Sequence, residues 1–236
     1  MREAGRITAE ALQMGREMAR AGITTAEIDR AASELIQKRG GRSAFKGYRG
    51  YPAYICTVIN NEIVHGIPGP RKLKEGDILS LDVGVFYKGF IGDAGTTMAI
   101  GEVGEIAHKL MEATEGGLYA GLAQARAGNR IGDISAAVQK YVESYGFSVI
   151  REYTGHGVGR QMHEDPQVPN FGKAGRGLIL KPGMTFAIEP MVSAGDWHTR
   201  VLSDGWTVVT ADGSLSAYFE HTIAVAEGEP EILTLL

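Results

Sequence analysis

A single cysteine, Cys56, stands in 236 residues, so no disulfide can form within the chain and packing, hydrogen bonds or bound ions must hold the fold. Long apolar runs are absent too. No stretch approaches the roughly 18 consecutive apolar residues of a membrane-spanning helix, and the opening MREAGRITAE has charges where a secretion signal needs an apolar segment. Nor is there an excess of positive charge. With 24 Lys and Arg against 28 Asp and Glu, the net charge of −4 gives no footprint for nucleic acid or an anionic membrane. A reducing, cytoplasmic setting without nucleic-acid or membrane partners is expected. At 44% hydrophobic residues, a chain of this length can bury a substantial core.

Apolar spacing predicts a helix over residues 4–20. A second helix opens at TTAE, where Thr24 caps and Glu27 reaches back, and closes at Gly40 and Gly41. Strands are expected over 54–63 and 78–86, with a hairpin turn at FYKGF. Helices over 105–126 and about 132–145 follow, then strands over 147–153, 184–192, 205–210 and 217–226. Helices followed by strands, twice, suggest an internal repeat. ARAGITTAEIDRAASELIQKRG (19–40) lies on ARAGNRIGDISAAVQKYVESYG (125–146) without a gap, at an offset of 125 − 19 = 106. LKEGDILSLD (73–82) lies on LKPGMTFAIE (180–189) at an offset of 189 − 82 = 107, which sets Asp82 against Glu189. The expectation is an α+β fold of two pseudo-symmetric halves, about 1–101 and 105–236, each of two helices packed on an antiparallel sheet. The halves share one core, and 1–236 is a single catalytic domain.

Asp82 interrupts the apolar strand ILSLDVGVF, where an ionised carboxylate needs a partner or a metal. Folding back about Tyr87 and Lys88 would set Asp93 opposite it within about one residue, and like charges that close repel unless a proton or cation lies between them. Glu189 in MTFAIEPMV and Glu220 in LSAYFEHTIAVA repeat the anomaly. Four converging carboxylates at −1 each balance two divalent cations. An oxygen-rich set with one imidazole suits Mn, Fe(II) or Co.

In GHGVGRQMHEDP, His156 and His163 stand seven apart across three glycines, which is not the spacing of a helix face. A strand end and loop is expected, with glycines admitting close approach of backbone or of a ligand such as a peptide, and Glu164 and Asp165 as loop polar residues. One histidine completes the ligand set and the other is free for substrate; the residues alone leave open which. His65 lies in a Gly/Pro-rich loop, where functional side chains are common, His108 and His198 read as structural or solvent-exposed, and His221 points to the face opposite Glu220.

Together HGIPG, LSLDVGV, GFIGDAGTT, GHGVGRQMHEDP, GMTFAIEPM and SAYFEHT resemble, in order and over nearly the whole chain, the type I methionine aminopeptidases. The resemblance implies the pita-bread fold and hydrolytic removal of an initiator methionine from nascent proteins and peptides, preferring a small second residue, by water activated between two divalent ions (Co, Mn, Fe(II) or Zn). It implies Asp82, Asp93, His156, Glu189 and Glu220 as metal ligands, with Asp93 and Glu220 bridging. Glu189 would also move the proton, and His65 and His163 would contact substrate as catalytic residues. Tyr48, Tyr51, Cys56, Met162 and Trp206 would surround the methionine side chain. A monomer acting on nascent N-termini, with transient ribosome association, is the implied setting. Relatives usually carry a lead-in before the first helix, whereas here Met1 begins inside the family's MREAGR segment, which bears on stability and N-terminal packing. The rivals are a prolidase or aminopeptidase P, a non-catalytic peptide-binding module, and a dinuclear oxygen-activating protein.

Overall fold

The computed structural model describes residues 1–236. Four helices form: α1 (Arg2–Met18), α2 (Thr25–Lys38), α3 (Glu105–Leu122) and α4 (Ile131–Ser144). Before α3 the chain forms β1 (Arg42–Ser43), β2 (Cys56–Ile59), β3 (Glu62–Val64), β4 (Ile78–Tyr87) and β5 (Phe90–Ala99). After α4 come β6 (Ser148–Val149), β7 (Gly155–Gly157), β8 (Glu164–Val168), β9 (Thr185–Ile188) and β10 (Met191–Ser193). The last are β11 (Thr199–Val201), β12 (Val208–Thr210), β13 (Ser216–Tyr218), β14 (Glu220–Ala224) and β15 (Glu231–Ile232).

The main sheet runs β1-β4-β5-β14-β9-β7-β8, all antiparallel, with β2 also on β4 and β15 on β14. The repeat is visible in it. β5 and β14 adjoin at the centre and β4 and β9 flank them, while α2 and α4 are both 14 residues long and begin 131 − 25 = 106 residues apart. Their N-termini match as well. The Thr24 N–H donates to Glu27 Oε2 at 2.8 Å, and the Arg130 N–H donates to Asp133 Oδ2 at 2.7 Å. Each bond satisfies a helix-end donor that the helix itself cannot.

Strand alternation decides what each face carries. On β4, Leu79, Leu81, Val83 and Val85 join a buried cluster with Ile7, Ile28 and other residues of α1 and α2, leaving Ser80, Asp82 and Gly84 for the opposite face. On β14, Ile223 packs with Leu118 and Leu122 of α3, and Glu220 and Thr222 take the opposite face. The helices therefore cover one face. The chemistry-bearing residues share the other.

Several expected strands are divided. The one over 184–192 breaks at Glu189 because Pro190 has no N–H for the ladder, so β9 stays in the main sheet while β10 joins β13 and β6 in a second. The one over 217–226 breaks at Phe219 to serve the same two sheets, and 54–63 breaks at Asn60, whose φ of 60° turns the chain. Only 148–149 and 208–210 of two further expected strands form ladders. The helix expected over 105–126 stops at Leu122, where tight bonds from Gln124 N to Gly121 O and from Ala125 N to Leu122 O close its last turn.

Helix α1 crosses β5 closely, and a Cβ on Gly92 would lie 2.6 Å from the Gly5 Cα. Gly92→Ala is expected to destabilise the fold by about 1–3 kcal/mol through overpacking. An unchanged urea midpoint would show that α1 is free to slide.

Candidate metal centre

Asp82 on β4 and Glu220 on β14 oppose Gly95 of β5 from its two sides. Asp93 opposes Gly84, two residues from the place opposite Asp82, which corrects the expected opposition within about one residue. The turn is made by Lys88 and Gly89, both at positive φ (46° and 88°), and a two-residue turn of this kind centres the hairpin between them. Asp82 and Asp93 are thus diagonal neighbours on one face, still within reach of each other's long-range field. Glu189 follows β9, and His156 lies on β7 opposite Ala187 of β9.

His156 Nδ1 is 2.9 Å from the Gly157 carbonyl oxygen, which turns Nε2 towards the carboxylates, 3.3 Å from Glu189 Oε1 and 3.8 Å from Asp93 Oδ2. Ligand atoms of Asp93, His156 and Glu220 all lie within 4.8 Å of one another. Asp93 is 3% exposed and Glu220 1%. No lysine or arginine forms an ion pair with any of the four carboxylates. Asp82 Oδ1, Asp93 Oδ1 and Glu220 Oε1 are buried without a hydrogen-bond partner. Burial, reinforced by the charge of the neighbouring carboxylates, pushes Asp82, Asp93 and Glu189 well above the ordinary range. Burial also pushes Glu220 up to about 7, against the lowering effect of the Tyr218 hydroxyl. Orphaned buried oxygens around one imidazole nitrogen form a donor set that fits divalent cations of the Mn, Fe(II), Co or Zn type.

Beside this cluster is a cavity of about 250 Å³. Tyr48, Tyr51, Cys56, Met162 and Trp206 all line it, as do His65 and His163. Tyr51 packs edge-on to Trp206 at 5.1 Å and donates its hydroxyl to the Gly66 carbonyl at 2.8 Å, so a polar group in an apolar wall is satisfied. Burial holds the Cys56 thiol protonated, unsuited to nucleophilic attack. His163 stacks on Tyr48, with Nδ1 2.9 Å from the Tyr48 hydroxyl, and its ring centroid is 4.2 Å from that of His156. Burial lowers His65 and His163 to about 4, so both are neutral near pH 7. His221 faces away, its Nδ1 2.8 Å from the Thr234 hydroxyl.

Two expectations about GHGVGRQMHEDP change. A Cβ on Gly155 would meet the Ala187 carbonyl at 2.5 Å, and one on Gly157 the Asp165 carbonyl at 2.4 Å, so these glycines admit neighbouring strands rather than a peptide. Glu164 and Asp165 lie on β8, and Glu164 Oε1 shapes the His163 loop by accepting the N–H groups of Arg160 and Gln161 at 2.7 and 2.8 Å. Sequence reasoning also missed Tyr218, whose hydroxyl donates to Glu220 Oε2. Its place two residues before Glu220, on the same face of a strand pattern, is the signal that could have found it.

Raised carboxylates cost the fold stability as pH climbs above their unfolded values, whereas the lowered histidines favour folding as pH rises from about 4 to 6.5. Above pH 6.5 only the carboxylates still act. Metal-stripped protein should therefore melt at lower temperature at about pH 8 than at about pH 6.5, and added Mn²⁺ should stabilise it more at the higher pH. A flat or rising melting temperature in stripped protein over that interval contradicts this electrostatic picture.

Known proteins resemble this chain in sequence and fold. The model of metallopeptidase family M24 matches residues 1–227. A methionine aminopeptidase of Clostridium perfringens is 51% identical over 236 residues, spanning 100% of this chain and 95% of the relative. The crystal structure of methionine aminopeptidase from Thermotoga maritima superposes with a TM-score of 0.98 at 48% identity, over 100% of this chain and 95% of that one. Prolidase from Pyrococcus furiosus, at 20% identity and a TM-score of 0.78 with 62% of its length covered, shares the fold alone. With the pita-bread architecture, a buried cluster able to bind metal and a family match over almost its full length, the chain belongs to metallopeptidase family M24.

Proposed function

We propose that this chain is a methionine aminopeptidase that cleaves the peptide bond after an N-terminal methionine, preferring a small second residue. The observation that carries the reading is the junction of an apolar, aromatic-walled cavity with the buried carboxylate cluster. An unbranched apolar side chain suits the cavity, and the adjoining carboxylates suit divalent cations. Asp82, Asp93, His156, Glu189 and Glu220 would hold two divalent ions. Four negative charges would then offset two divalent ions. When bound, such cations supply Lewis-acid polarisation of a carbonyl and acidify water.

The protein's own groups do the rest. Glu189, only 12% exposed and 3.3 Å from His156 Nε2, lines the cavity, where a carboxylate can take a proton from water and pass it to the leaving nitrogen. His163 has Nδ1 engaged by Tyr48, which leaves Nε2 for the scissile amide or its developing oxyanion. His65, held in a left-handed turn at φ 61° against Tyr153, would contact the substrate amide. Tyr51, Trp206, Met162 and Cys56 exclude water from the methionine side chain. Residues 1–236 would work as one catalytic domain, since the pairing of β5 with β14 joins both halves. Nascent N-termini in the cytoplasm, met by a monomer with transient ribosome contact, would be the substrates.

The test is turnover of Met-Ala-Ser by metal-free protein reloaded with Mn, Fe(II), Co or Zn, beside an Xaa-Pro peptide. Cleavage of the methionyl peptide alone is expected; preference for Xaa-Pro assigns the chain to prolidase-like chemistry. Glu189→Gln should lower kcat by about 10²-fold or more with the fold intact. His163→Ala should lose rate yet keep both metals, so loss of a metal would reverse the roles given to the two histidines.

A further inference from the structure

Tyr218 is buried at 3% exposure among the four carboxylates, and its hydroxyl donates to Glu220 Oε2, whose carboxyl group also lies within hydrogen-bonding reach of Asp93. Neither Asp82 nor Asp93 has a protein hydroxyl on its carboxylate. The tyrosine is held at two points. Thr97 Oγ1 donates to the Tyr218 carbonyl at 2.7 Å and accepts the Tyr218 N–H at 2.9 Å, and Ser80 completes the chain with an oxygen 2.8 Å from Thr97 Oγ1. The ring occupies the space over Gly95, where a Cβ would lie 2.1 Å from Tyr218 Cε1. Gly95 is also the residue that Asp82 and Glu220 flank in register. A tyrosine fixed by backbone and ring thus aims one hydroxyl at one oxygen, Glu220 Oε2. The other oxygen, Oε1, is buried without a partner.

We infer that Tyr218 is a positioning residue for the cation site: by engaging Glu220 Oε2 it fixes the orientation in which the Glu220 carboxylate meets divalent ions. This rests on the metallopeptidase reading for its effect on turnover, and on the carboxylate cluster alone for its effect on metal binding. Groups that hold a ligand in place are worth about 10–100-fold in metal affinity or activity when removed.

Tyr218→Phe keeps the ring over Gly95 and removes only the hydroxyl. Calorimetric titration of the metal-free variant with Mn²⁺, its fold checked by circular dichroism, should show affinity at one or both ions about tenfold or more below that of the parent. The visible spectrum of the Co²⁺-loaded variant should differ from the parent's, and kcat for Met-Ala-Ser should fall while KM changes little. A merely structural tyrosine would leave isotherm and spectrum as they are, and that result overturns the inference. Gly95→Ala, which drives the ring and its hydroxyl away while keeping the tyrosine, should reproduce the spectral change; an unaltered spectrum there counts against it equally. A parent that binds Mn²⁺ but does not cleave Met-Ala-Ser refutes the proposed function, and the isotherms still decide the role of Tyr218.

Discussion

Repulsion among buried carboxylates governs this molecule. Two unit charges 4 Å apart interact by about 4 kcal/mol at an effective dielectric of 20, while the net stability of a whole domain is about 5–15 kcal/mol. Asp82, Asp93, Glu189 and Glu220 could not all ionise together unaided, and no lysine or arginine pairs with them. Protons or cations must supply the balance. The raised carboxylates record the first option and the partnerless oxygens indicate the second.

The rest of the structure supplies what that unfavourable cluster needs. Alternation along β4 and β14 sends Leu79, Leu81, Val83, Val85 and Ile223 towards the helices, so much of the stabilising burial is kept on the face away from the charges. The break at Glu189 and Pro190 serves a second purpose. It carries β10 out of the main sheet to pair with β13, which brings Met191 and Tyr218 against the cavity. The duplicated architecture makes the convergence possible, because β5 and β14 meet at the centre while Asp82 and Glu189 approach from equivalent flanking strands.

Much of this was legible in the sequence, and for identifiable reasons. A carboxylate in the middle of ILSLDVGVF is an energetic anomaly that composition cannot hide, and the offset of 106 survives in two helices of equal length. The Thr24 and Glu27 cap was legible because its partners are local. What escaped depends on distant partners or on a single turn. The register of Asp93 turns on Lys88 and Gly89 both taking positive φ. The glycines around His156 face backbone of β8 and β9, which no local pattern reveals. Glu164 folds the His163 loop by accepting backbone N–H groups, and Tyr218 meets Gly95 only after two sheets assemble.

The most direct measurement is the count of protons displaced when divalent metal enters the stripped protein near neutral pH, from calorimetric titrations in buffers of differing ionisation enthalpy. If cations replace protons shared among Asp82, Asp93, Glu189 and Glu220, protons are released as Mn²⁺ binds, and fewer are released as the pH is raised. Mn²⁺ binding with no proton release at neutral pH would mean that the carboxylates were already fully ionised, and would contradict the central role given to their repulsion.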